Sequence, residues 1–126
     1  MTNKEIKFRA WHPDLKYMIY FDGLNMSWDQ QMGGYRLISN ANEVVVFHCF
    51  QDQPQIMQST GVRDGKRREI YEGDQIHYQG RLGVVEFFAG MFVVSWHDQT
   101  DTELAYMQIN DMEVVGNIFE NPELLV

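Results

Sequence analysis

The chain has 126 residues, 44% apolar and 13% aromatic, with a net charge of −8. That composition belongs to one globular domain rather than a disordered segment, and a chain of this length can hide about two-thirds of its unfolded surface without disulfides or a metal. The N-terminal MTNKEIKFRAW lacks the apolar run of a signal peptide and no segment approaches the ~20 apolar residues that span a bilayer, so a cytoplasmic protein with no membrane segment is expected.

Period-2 alternation dominates, and no stretch sustains apolar residues at i, i+3, i+4 and i+7, so the chain is expected to be mainly β. The first strand is placed over Ile6 to Trp11, with Ile6, Phe8 and Ala10 on one face and Lys7, Arg9 and Trp11 on the other. His12-Pro13-Asp14 then turns the chain, because proline fixes its own φ and disfavours helix before it. Tyr17 to Phe21 completes a hairpin. From Asp22 to Asn42 glycines and asparagines predict a loop with one short strand, Tyr35 to Ile38. Glu43 to Phe50, EVVVFHCF, reads as a strand covered on both faces, followed by a polar connection from Gln51 to Gln55. Cys49, the single cysteine, has no intrachain partner and reads as a buried thiol in a reducing compartment.

In the middle segment Asp64-Gly65 is a tight-turn dipeptide that brings two short extended pieces together, on the expectation that Gly65 takes positive φ. Strands are then placed at Gln75 to Tyr78, Leu82 to Phe88 and Met91 to His97, joined through Gly80 and Ala89-Gly90, hence antiparallel neighbours. After a polar turn from Asp98 to Thr102 come a strand over Glu103 to Ile109 and a last one over Met112 to Val115. Asn121-Pro122-Glu123 reads as a helix start, with Asn as N-cap and Pro at the first helical position. Short strands at close spacing suggest a small barrel or a curved antiparallel sheet, centred on residues 70 to 116.

The charge is unevenly placed. All ten basic residues lie at or before Arg81; Leu82 to Val126 carries only acids, Glu86, Asp98, Asp101, Glu103, Asp111, Glu113, Glu120 and Glu123. Two surfaces follow. Asp98, Asp101 and Glu103 form either a solubilising surface or an acidic face for a basic partner. Arg63, Lys66, Arg67 and Arg68, beside the Asp64 turn, form either a solvated tip whose cations pair with Glu69 and the acidic C-terminal third, or a phosphate-contacting tip helped by Lys7 and Arg9. The net charge weighs against nucleic acid, since long-range attraction to phosphates would be weak.

No spacing signals catalysis. His12, His48, His77 and His97 match no zinc pattern, GVRDGKR over Gly61 to Arg67 starts one residue too late and lacks the hydroxyl of a Walker loop, and there is no G-x-S-x-G or calcium loop. No metal or cofactor is expected.

KFRAWH (Lys7 to His12), MQSTGVRDGKRREIYEGD (Met57 to Asp74), GVVEF (Gly83 to Phe87) and VVGNIFENPELL (Val114 to Leu125), in that order, resemble the YopX-like phage and prophage protein family. The resemblance implies one domain over residues 1–126: an SH3-like small barrel over residues 57–126, an N-terminal β extension over residues 1–56, and a short C-terminal helical turn. It implies a phage accessory protein in the bacterial cytoplasm and brings no catalytic residues with it. Within EIYEGD, Ile70 and Tyr71 are expected inward, with Glu69, Glu72 and Asp74 left to water or backbone N–H groups. Leu124 and Leu125 are expected to close a barrel opening. The reading that results is a non-enzymatic protein that binds another protein or its own copies; the alternatives are a single-stranded nucleic-acid binder and an enzyme with an unrecognised site.

Overall fold

The computed structural model describes residues 6–23, 25–31, 33–48 and 55–125. The expected Cys49 thiol, the strand end at Phe50 and the connection from Gln51 to Pro54 lie outside them, as do the side chains of His48 and Leu125. Among the described residues there are twelve strands, three short 3-10 turns and no α-helix. The chain divides into two compact units, residues 1–58 and 59–126.

The first unit holds a core of its own. β1 (Lys7–His12) and β2 (Tyr17–Asp22) form the expected hairpin, from Lys7 opposite Asp22 to His12 opposite Tyr17. β3 (Met26–Asp29), β4 (Gly34–Ile38) and β5 (Val44–His48) make a three-stranded antiparallel sheet in that order. Ala10, Ile19, Phe21, Leu37, Val45 and Phe47 are buried together, with Phe8, Met26 and Tyr35 packed against them. Two expectations are corrected here. β3 was not foreseen, and β5 is an edge strand with one covered face: Val45 and Phe47 are buried while Val44 is 62% exposed.

The β1–β2 turn explains His12. Its Nδ1 accepts from the Leu15 N–H at 3.1 Å, so the ring proton sits on Nε2, 3.4 Å from the Val46 carbonyl. The ring is buried and stacks on Phe47 at 4.7 Å. The imidazole is part of the core.

β6 (Gln55–Arg63) pairs with β1 over Gln55 to Gln58, and between Ser59 and Arg63 with β7 (Glu69–Tyr71). β8 (Asp74–Tyr78), β9 (Arg81–Phe88), β10 (Met91–Trp96), β11 (Asp101–Glu103) and β12 (Met112–Asn117) form a five-stranded antiparallel sheet in the order β11-β10-β9-β8-β12. The turns from β8 to β9 and from β9 to β10 each have two successive residues of positive φ, Gln79-Gly80 and Ala89-Gly90, the two-residue loops whose twist matches the flanking strands. The sheet ends at β11 and β12, with no ladder joining them among the described residues. A closed barrel is therefore replaced by an open sheet, because the segment meant to continue it does not extend. Glu103 to Ile109, expected as a strand, instead winds into 3-10 turns at Leu104–Tyr106 and Ile109–Asp111.

One face of the five-stranded sheet is the core of the second unit: Ile76, Val85, Val94, Trp96 and Met112, joined by Ile70, Leu104 and Met107. Gly83 makes room for it. A Cβ there would lie 2.6 Å from Val94 Cγ1 and 2.8 Å from Trp96 Cε3, so only glycine lets the indole cross β9. The Trp96 Nε1–H donates to Thr102 Oγ1 at 2.8 Å, and the Arg81 guanidinium lies 4.4 Å from the ring centroid.

The C-terminal turn at Pro122–Leu125 starts where the sequence places it. Its cap differs: Asn121 Oδ1 accepts from the Asn117 N–H at 3.2 Å, tying the turn back to the end of β12, and Gln75 Nε2 donates to the Asn121 carbonyl at 3.1 Å. No helix among the described residues is long and apolar enough to cross a membrane.

Candidate interaction surface

The basic cluster sits around a buried carboxylate rather than at a free tip. Asp64 is 1% exposed. Its Oδ1 accepts from the N–H groups of Lys66 at 3.0 Å and Arg68 at 2.8 Å, and its Oδ2 from the Val114 N–H at 2.9 Å, while the Gly65 N–H donates to the Met112 carbonyl. The turn is thereby bonded to β12. Burial alone would raise the Asp64 pKa; these three N–H donors and the Arg68 charge outweigh it and hold the carboxyl below its usual range. The expected positive φ at Gly65 is also corrected: it belongs to Arg67, at 65°. Gly65 is needed for closeness, since a Cβ would lie 2.8 Å from the Asn110 carbonyl oxygen.

Three of the four cations are engaged within the unit. Lys66 Nζ lies 2.9 Å from Glu113 Oε1, Arg68 bridges Asp64 at 3.5 Å and Glu113 at 3.6 Å, and Arg63 donates to the Arg67 carbonyl at 3.0 Å. The Lys66 hydrogen bond, then its charge, lowers the Glu113 pKa. Arg9, expected on an outer face, is 3% exposed and is no part of an open basic surface.

Of the three expected acidic contacts, Asp98 shapes a turn. It accepts from the Thr100 hydroxyl and from the Thr100 N–H at 3.0 Å, and Arg81 lies 3.3 Å away; the hydroxyl bond is the leading cause of its lowered pKa. Asp101 and Glu103 are exposed on β11. The register sets Glu103 and Glu86 on either side of Val93, and Asp101 and Val84 on either side of Ser95. Side chains alternate across a strand, so Glu86, Asp101 and Glu103 share the face opposite the core. None of the three has an ion-pair partner among the described residues.

The same outer face carries a half-open groove of about 420 Å³, lined by Leu82, Val84, Glu86, Ser95, His97 and Leu124, with Gly83 and Trp96 beneath. Toward the hairpin end, Phe88 and Met91 are opposite one another and exposed. The groove was not foreseen from sequence. The alternation marked which residues leave the core, but the docking of Leu124 depends on the Asn121 and Gln75 contacts far apart in the chain. Leu124 lies beside an open sheet and not over a barrel mouth.

His77 and His97 are exposed, and no group of three or more His, Cys, Asp or Glu among the described residues could hold a metal ion. The buried carboxylate of Asp74 accepts from the Tyr71 N–H at 2.8 Å, with Ile70 and Tyr71 inward as expected.

A family model described as YopX protein matches residues 7–126. The chain belongs to the YopX protein family. Two solved structures are similar to it. Protein EF1440 from Enterococcus faecalis is 26% identical, with a TM-score of 0.65 over 96% of this chain and 98% of that one. Protein yopX from Bacillus subtilis is 21% identical, with a TM-score of 0.61 over 99% of this chain and 98% of that one, a likeness of fold. A search of curated proteins gave no match. The family description names no activity.

Proposed function

We propose that this YopX family chain is a non-enzymatic accessory protein of a phage or prophage that acts in the bacterial cytoplasm by binding another protein through the acidic outer face of its five-stranded sheet. One observation carries the reading: Glu86, Asp101 and Glu103 stand together on that face with no counter-ion among the described residues, whereas two cations of the basic turn, Lys66 and Arg68, are paired with Asp64 and Glu113. A charged, uncompensated face steers encounter with a partner of opposite sign. Binding rather than catalysis is further supported by the carboxylates of Asp64 and Asp74, whose bonds to backbone N–H groups give them a structural task. The nucleic-acid reading through Arg63, Lys66, Arg67 and Arg68 has less support, because phosphate would compete with existing ion pairs.

Affinity capture from host cells carrying the phage, with wild type and the triple variant E86Q/D101N/E103Q, tests the reading. Partners retained by the wild type and lost by the variant are expected; identical retained partners would overturn it. Sedimentation of the purified chain distinguishes a second copy from a foreign protein as the partner.

A further inference from the structure

We infer that the groove on the outer face of β9 and β10 takes a short segment of a partner protein whose apolar side chain is flanked by lysine or arginine. This rests on the protein-binding reading above and specifies the partner's chemistry. The groove has apolar walls, Leu82 and Leu124, and an apolar floor at Val84, and its volume of about 420 Å³ lies in the usual range for binding pockets, about 300–1,000 Å³. It is half open to solvent, which suits a side chain presented by a larger molecule better than an enclosed small ligand.

The charge around the groove selects what flanks that side chain. Glu86 lines it, and Asp101 and Glu103 stand on the neighbouring edge strand of the same face. No lysine or arginine follows Arg81 in the chain, and the Arg81 guanidinium lies against the Trp96 ring and Asp98. The groove is therefore bordered on its β11 side by carboxylates that would repel an acidic segment and attract a basic one. The exposed Phe88 and Met91 extend the apolar surface beyond the groove along the same face.

Fluorescence anisotropy with three labelled peptides, alternating Lys/Leu, Lys/Ser and Glu/Leu, tests this on the full chain at two ionic strengths. The Lys/Leu peptide is expected to bind, more weakly at the higher ionic strength, and the other two far less. Leu124→Ala and Val84→Glu are each expected to weaken it about tenfold. E86Q/E103Q should weaken it several-fold and flatten the salt dependence. Thermal melting confirms that each variant is folded, and Leu124→Ala, which trims only the C-terminal turn, serves if Val84→Glu does not fold. The inference is overturned if the Lys/Leu peptide fails to bind, if Glu/Leu binds equally well, if binding survives both Leu124→Ala and E86Q/E103Q, or if sedimentation shows a second copy covering this face. Peptides that do not bind while capture still depends on Glu86, Asp101 and Glu103 sink this inference alone; capture that ignores those carboxylates sinks the broader reading.

Discussion

The carboxylate of Asp64 joins three backbone N–H groups, one of them 50 residues away in the chain, and so ties the basic turn to β12. Replacing it with alanine leaves those donors without an acceptor in a buried site, and a loss of about 2–4 kcal/mol is expected in urea unfolding. Asp64→Asn keeps the shape but not the charge, and its comparison with wild type has a definite pH dependence. The folded-state pKa lies below the unfolded one, so the carboxylate's contribution is complete above the ordinary range of about pH 4 and disappears as pH falls through the folded value. The stability gap between wild type and Asp64→Asn should therefore be constant near neutrality and close in strong acid; a gap that persists below both values would contradict this account. Gly65 next to it makes a separate prediction. Gly65→Ala is expected to destabilise by about 1–3 kcal/mol, although its φ is one any residue can adopt, because the methyl meets the Asn110 carbonyl.

At the scale of elements, the hairpins from Asp74 to Trp96 were legible because alternation and paired turn residues agree, and their boundaries move by at most a residue. The stretch from Glu103 to Ile109 was not. Its buried residues, Leu104 and Met107, are three apart, the repeat of a 3-10 turn, but one such pair is too little to outweigh an apolar run that also fits a strand. β3 was missed because four residues between turn formers give no visible period, and its Trp28 finds its partner, Tyr35, only across the sheet. The charged surfaces were legible as composition and not as geometry. Sequence placed Asp98 with Asp101 and Glu103, but Thr100 two residues on draws Asp98 into its own turn, and Glu86 joins the other two only through the β9–β10–β11 register. Gly83→Ala tests the element-scale packing: with Val94, Trp96 and the Ser95 carbonyl all within 2.8 Å of the added carbon, a loss of about 1–3 kcal/mol is expected, read as a lower urea midpoint.

For the molecule as a whole, two separate cores mean that damage should be local at first. Phe21→Ala removes a fully buried ring from the first unit at about 3–5 kcal/mol. Hydrogen exchange is expected to accelerate in β1, β2, β4 and β5 before it does in β8 to β10; uniform acceleration across the chain would show a single cooperative unit instead. The separation also gives the three tryptophans different surroundings. Trp28 is half exposed, whereas Trp96 is almost fully covered on the core face of the five-stranded sheet. With Trp11 and Trp28 changed to phenylalanine, the remaining indole would emit from the core of the second unit, its spectrum set by the Tyr78 ring it stacks on and by the Arg81 cation beside it. The second unit thus comes with an optical reporter already installed, and the loss of its packing could be followed in real time without attaching a dye.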